Sequence, residues 1–177
     1  WQLLSRSGGA TVVDSTPIPG SDTGVQGFDQ QVDIPVNRLA PGTVIDIAAR
    51  VDFSFVGAAD AYAVSLGLNG TQLSSPFVFV FGPVGPFTGS AYLKGRFTVD
   101  GTGSTTLRGV LYEESLSLAA PPVPGYLMPV NQAPVAVPVD TTIANHVRVI
   151  FQWAGGTNAA STATLGALSA TITPPGS

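Results

Sequence analysis

Side chains able to do chemistry are few in this chain, and they are spread out. His146 is the sole histidine, and it stands at the start of an alternating apolar segment, where it reads as a polar residue at a strand edge. A serine nucleophile would need a partner base and a sharp strand-to-helix turn, and the sequence has no G-x-S-x-G elbow. Glu113 and Glu114 are adjacent carboxylates. In a strand, neighbours point to opposite faces, so the two cannot flank one glycosidic bond. If their segment is extended, one of them sits at a bulge or is paired.

Asp46, Arg50 and Asp52 share the polar face of one strand. Their spacing suits a salt-bridged cluster or a contact with a neighbouring subunit. A calcium site would need six to eight oxygens and a D-x-D-x-D-G loop, and the loop is missing. Gly101-Thr102-Gly103-Ser104 looks like a phosphate loop but lacks a following helix, and reads as a turn between strands. Asn69-Gly70-Thr71 matches a glycosylation triplet, although Asn-Gly is better explained as a hairpin turn. No catalytic, cofactor-binding or metal-binding residue is assigned. A sugar platform would have to come from Tyr92, Tyr112, Tyr126, Trp1 or Trp153, with Trp153 expected in the core beside Phe151.

The elements that would carry these residues are all strands. Ile45, Ile47, Ala49, Val51, Phe53 and Phe55 alternate with Asp46, Ala48, Arg50, Asp52 and Ser54, the period of a half-buried strand. Phe28, Val32 and Ile34 alternate with Asp29, Gln31 and Asp33. Tyr62, Val64, Leu66 and Leu68 form one face of a strand ending at Asn69-Gly70, with Thr71 to Leu73 returning. Leu93, Phe97 and Val99 alternate with Tyr92, Lys94, Arg96 and Thr98. From Thr105 to Leu118 the phase is mixed, and a bulge near Gly109 would reconcile it. Val147, Val149, Phe151 and Trp153 face one way, and His146, Arg148 and Gln152 the other. Leu165 to Thr173 supplies the last strand.

Two segments interrupt this alternation. Phe77 to Phe81 is apolar on both faces, so it is either sandwiched or covered by another subunit. Residues 119–139 form a Pro-rich long loop containing six prolines and Tyr126, Leu127 and Met128. Phe77, Phe79 and Phe81, with Ile150 on the outer side of its strand, are the candidate assembly surface. Tyr126, Leu127 and Met128 are the candidate surface-loop contacts. Eight to ten strands and no helix in a single domain, 1–177, imply an all-β, antiparallel two-sheet sandwich, jelly-roll-like.

Composition narrows the partners. Eleven acidic and seven basic residues make only 10% of the chain charged, against about 25% in ordinary soluble domains. A net charge of −4 argues against nucleic acid, which requires a clustered basic face. No segment offers the roughly 20 unbroken apolar residues of a membrane helix, so no membrane insertion is expected. The stretch from Trp1 shows no charged-then-apolar leader pattern, so no signal peptide is expected. Without cysteine, disulfides and thiolate chemistry are excluded. A β-rich chain so poor in charge is expected to cover its exterior with copies of itself or a larger assembly.

Three stretches together resemble structural appendage proteins of tailed bacteriophages: tail-fibre, head-fibre or decoration domains. Ile34-Pro35-Val-Asn37-Arg-Leu39-Ala-Pro-Gly42 leading into Ile45-Asp-Ile47-Ala-Ala-Arg50 is similar to that family's "IPANTL…G" turn and strand. The hairpin Ser65-Leu-Gly-Leu-Asn-Gly-Thr71 is the second. Val139-Asp140-Thr-Thr-Ile-Ala144-Asn145, followed by Val147 to Trp153 and a Ser/Thr/Ala-rich last strand, resembles its "DTT.AN…V..QW" endings. The chain departs from the pattern in its proline-rich insertion and in Gly155-Gly156. The resemblance implies a β-sandwich on the exterior of a virion that forms a homotrimer or packs on other virion proteins, needs no cofactor and is not an enzyme. Its tip loops would meet the host surface, with a host-surface glycan as a further candidate partner. The alternative is a carbohydrate-binding module or adhesin tip.

Overall fold

A computed structural model describes residues 2–4, 12–22, 24–56, 61–73, 77–80, 86–100, 106–118, 137–153 and 157–176. Thirteen strands follow one another: β1 (Gln2–Leu4), β2 (Val12–Pro19), β3 (Gln26–Gly27), β4 (Val32–Ile34), β5 (Val44–Phe55), β6 (Ala61–Leu68), β7 (Thr71–Gln72), β8 (Phe77–Val80), β9 (Phe87–Asp100), β10 (Thr106–Leu118), β11 (Val137–Pro138), β12 (Asn145–Trp153) and β13 (Thr162–Thr173). They form an all-β, jelly-roll-like sandwich of two antiparallel sheets. The larger has seven strands ordered β1-β13-β5-β9-β10-β11, with β2 also on β13. The smaller has six, ordered β3-β12-β6-β7, with β4 on β12 and β8 on β6. The chain passes between sheets six times, from β2 to β3, β4 to β5, β5 to β6, β8 to β9, β11 to β12 and β12 to β13. Among the described residues no helix is long and apolar enough to cross a membrane.

The alternating segments fold as their period requires. Every second residue of β5, from Ile45 to Phe55, is buried, and the residues between are half-exposed. Tyr62, Val64, Leu66 and Leu68 of β6 meet them from the other sheet, with Val147, Val149, Phe151 and Trp153 of β12, all 0% exposed. One end of this core is aromatic. The Trp153 ring stands edge-on to Phe55 and Phe151, with centroids 5.5 and 4.9 Å apart, and Tyr62 stacks on Phe151 at 5.4 Å. Such pairs add about 0.5–1.5 kcal/mol each beyond the area they bury. The indole N–H of Trp153 donates to the Ile18 carbonyl at 3.0 Å, so the buried ring keeps no unsatisfied donor.

Two sequence expectations are corrected. The bulge in β10 does not lie at Gly109, which pairs regularly with Phe97; the register shifts between Glu113 and Ser115. Leu107 and Leu111 stand opposite Val99 and Gly95, while beyond the shift Leu116 and Leu118 stand opposite Ala91 and Gly89. The mixed phase is therefore one odd-numbered run and one even-numbered run, joined by an extra residue at Glu114. The irregular stretch also ends earlier than 139. Val137 and Pro138 pair with Leu107 and Thr106 as β11, and Val137 and Val139 are buried. Residues 119–136, including Tyr126, Leu127 and Met128, lie outside the described residues.

A buried carboxylate ties the strands of the two sheets together. Asp14 of β2 is 6% exposed. It accepts the backbone N–H of Thr16 at 2.9 Å, of Asp29 at 2.8 Å and of Gln30 at 3.3 Å. The last two belong to the turn that leads into β4. Removing the carboxylate would leave these donors without an acceptor where water is scarce. Asp14→Ala should therefore lower stability by about 1.5–3 kcal/mol, read as a lower denaturant midpoint with an unchanged slope.

Candidate functional site

Two regions concentrate polar side chains: one end of the sandwich, and the outer face of the large sheet. The end is built by three connections. Asn69 and Gly70 have φ of 50° and 83°, the positive values of a type I′ hairpin turn. Asn69 does more than turn the chain. Its Oδ1 accepts the His146 N–H at 2.9 Å and its Nδ2 donates to Asn145 Oδ1 at 2.7 Å. Asn145, only 1% exposed, donates in turn to the carbonyls of Asp140 at 2.9 Å and Ile143 at 3.2 Å. The 35–43 turn joins them, because the Asn37 N–H donates to the Thr141 carbonyl at 2.8 Å and the Gly42 N–H to Val99 at 2.8 Å. Both the oxygen and the nitrogen of the Asn69 amide are thus bonded within the chain, which supports the hairpin reading over a sugar attachment point.

Asp140 opens the 140–145 loop. The Thr142 hydroxyl and, secondarily, the Thr142 backbone N–H hold its carboxyl below the usual carboxylate range. His146 follows on the outer face of β12. Its imidazole is held below 6.5 by burial first and by the Arg148 charge second, with Asp33 acting in the opposite sense. Arg148 lies over Gly27 and donates to Gln31 Oε1 at 3.1 Å, while Gln31 donates to Asp33 at 2.8 Å. His146 therefore sits in a polar row across β4 and β12, not beside a nucleophile. Among the described residues, no three His, Cys, Asp or Glu side chains come together to hold a metal ion.

On the large sheet, Asp46, Arg50 and Asp52 divide into two ion pairs. Arg96 of β9 grips Asp46 with two bonds of 2.8 and 3.1 Å, and Arg50 pairs with Asp52 along its own strand at 3.1 Å. Both are solvent-accessible, so each is worth about 0.2–1 kcal/mol. Ser90 of β9 donates to the other Asp52 oxygen, Oδ1, at 2.5 Å. Beside this group lies an open depression of about 440 Å³ across β13, β5 and β9, lined by Asp52, Ser54, Thr88, Ser90, Thr162 and Thr164. A smaller one of about 160 Å³ adjoins Asp46, Lys94, Ser169 and Thr171. Sequence reasoning singled out Asp52 but not its hydroxyl neighbours. The signal was present in Ser and Thr at alternate positions, which mark a wet sheet face.

The candidate assembly residues fare differently. Ile150 is 5% exposed; its side chain fills the space over Gly67, so it is covered within its own chain and has almost no area to offer a partner. Phe77 and Phe79 lie in β8, in register with the fully buried Val64 and Tyr62, whereas Val78 and Val80 stand opposite Ala63 and Ala61. Phe81, like Trp1 and Tyr126, lies outside the described residues. Tyr92 is 36% exposed on the outer face of β9, and Tyr112 stands opposite Lys94 in β10.

Loss of the buried amide in Asn145→Ala should cost about 1–3 kcal/mol, because it frees Asn69 and two loop carbonyls together. An NMR titration should place the His146 midpoint below 6.5, and Arg148→Gln should move it upward. Between the depressed value and 6.5 the unfolded chain binds the proton more readily, so stability falls as pH drops through that window. His146→Gln should flatten that part of the stability profile.

No protein-family model and no curated protein matches the chain. Among solved structures it is similar to a polysaccharide lyase of family 18, at 11% identity and a TM-score of 0.31, over 97% of this chain and 94% of that one. It is also similar to a legume lectin-like domain from Entamoeba histolytica, at 9% identity and a TM-score of 0.27, over 96% and 88%. Likenesses this distant carry no argument about what the chain does.

Proposed function

We propose that this chain is a structural subunit on the exterior of a phage particle, a capsid decoration or fibre component, and not an enzyme. The observation that carries this reading is the joining of three separate segments at one end of the sandwich. The segments that resemble phage appendage proteins are the 34–42 turn, the Asn69-Gly70 hairpin and the 139–145 loop. Asn37 N–H to Thr141, and Asn69 with Asn145, hold them to one another at 2.8 and 2.7 Å. Residues that look like a motif in sequence form one hydrogen-bonded unit in space, as a shared architecture requires. Val36 and Ile143, 48% and 50% exposed, project from the two loops so joined and offer apolar contact area at that end.

Assembly is through apolar strand surface. β8 pairs with β6 on one side, and among the described residues no strand pairs with its other edge. An apolar strand with a free edge is a template for a neighbouring chain, and charge introduced at Val78 and Val80, in register with Ala63 and Ala61, would disfavour that pairing. The subunit is a homotrimer whose partners are its own copies and other virion proteins, and the chain resides on the particle surface.

Light scattering with native mass measurement should give a trimer. Val78→Lys with Val80→Lys should convert it to a folded monomer with unchanged circular dichroism. A wild-type chain that stays monomeric at high concentration defeats the assembly reading. Absence of the chain from every purified particle that encodes it defeats the virion reading.

A further inference from the structure

We infer that the depression around Asp52 on the outer face of the large sheet is a binding site for a neutral, hydroxyl-rich glycan. At about 440 Å³ it falls in the range of small-ligand sites, roughly 300–1,000 Å³. Its polar lining is one carboxylate and a set of hydroxyls. Asp52 keeps 35% of its side chain accessible. Each of its oxygens takes one intramolecular bond, from Ser90 Oγ and from the Arg50 guanidinium, and each retains a second acceptor position. These bonds fix the carboxylate's orientation before any ligand arrives, so little ordering remains to oppose binding. Thr88 adds a hydroxyl, while Ser90 and Thr164, whose hydroxyls donate to Asp52 Oδ1 and to the Asp52 carbonyl, offer acceptors to the hydroxyl hydrogens of a sugar.

Tyr92 extends the site. It lies two residues from Ser90 on the same face of β9, about 6.7 Å along the strand, directly opposite Arg50. Its exposed ring offers an apolar face with a polar tip, which suits the C–H face of a pyranose. Other ligand classes fit less well. β5 and β9 are paired on both sides, so no free backbone edge is available for a peptide strand. Nucleic acid and acidic sugars need cations, and Arg50 is already tied to Asp52.

Gly166 positions this arrangement. The register of β13 on β5 skips it, between Leu165 and Ala167. A Cβ there would collide with Asp52 Oδ2 and with the Arg50 guanidinium. Glycine lets the ion pair lie flat across the sheet beside the depression. Gly166→Ala meets only the ends of mobile side chains, so it should tilt the pair without unfolding the protein.

The inference goes beyond the assembly reading and is tested on whatever oligomer the protein forms. Soluble oligosaccharides of glucose, galactose and mannose, with a galacturonate oligosaccharide as the acidic comparison, are titrated by NMR at millimolar concentration. At least one neutral sugar should shift the amides of Asp52, Ser90 and Thr164 saturably. Asp52→Asn, Tyr92→Ala and Gly166→Ala should each weaken that binding about tenfold with thermal unfolding retained, while Arg96→Gln should leave it unchanged. No shifts with any neutral sugar, a preference for galacturonate, or binding indifferent to all three substitutions would overturn the inference. A monomer that binds refutes assembly alone, and a trimer that does not bind refutes this site alone.

Discussion

The pleat of the long strands commits every second residue to the space between the sheets, and the rest of the molecule is arranged around that commitment. β5 shows it most fully, with six buried positions from Ile45 to Phe55 alternating with six half-exposed ones. A one-residue slip would exchange the two sets and place Asp46, Arg50 and Asp52 in the core. Register is therefore held at several points: at Asn69-Gly70, at the Glu113–Ser115 and Leu165–Ala167 shifts, and by Asp14 reaching from β2 to the turn before β4. Chemistry can be displayed only where this commitment ends, on the outer faces and at the two ends of the sandwich.

On the large outer face, the shortage of charge is met with hydroxyls. Ser54, Thr88, Ser90, Thr98, Thr162, Thr164, Ser169 and Thr171 occupy outward or half-exposed positions. They hydrate the sheet without the long side chains that a Lys- and Glu-rich surface would carry. These hydroxyls keep the face wet, so its scarcity of ions does not by itself require a covering partner. Among the described residues, the exposed large apolar side chains, Val25, Val36, Val56, Tyr92 and Ile143, lie apart in sequence, and all but Tyr92 lie outside the strands. The need for a partner is better argued from β8 and the loop end than from the molecule as a whole.

The strands and their buried faces were legible because each long alternating run has a single solution. Tyr62 to Leu68, Leu93 to Val99 and Val147 to Trp153 take the faces that their spacing dictates. Ile150 was misjudged because alternation specifies a face and not what lies on it. Gly67, two strand positions from Ser65 on the neighbouring strand, removes a side chain and lets the isoleucine fill that gap. Of the two places the sequence offered for a β10 bulge, Gly109 and the adjacent glutamates, the register follows the second. The backbone inserts its extra residue at Glu114, where two carboxylates in succession would otherwise fall on opposite faces. The depression around Asp52 was not legible, since it joins three strands from distant parts of the chain and depends on a missing side chain at Gly166.

The two proposed surfaces are compatible because they lie on different sheets. β8 belongs to the small sheet and the Asp52 depression to the outer face of the large one, so the core separates subunit contact from ligand contact. This separation has a quantitative consequence for attachment. An open site with one carboxylate, a few hydroxyls and one ring binds weakly, because much of its gain is offset by ordering the sugar. In the proposed trimer, three such sites would convert the second and third encounters into intramolecular events and raise overall avidity by roughly 10²–10⁴ without any new contact. A shallow hydroxyl-lined face is therefore sufficient for a particle that holds many copies of it, and a deep pocket would bring no advantage.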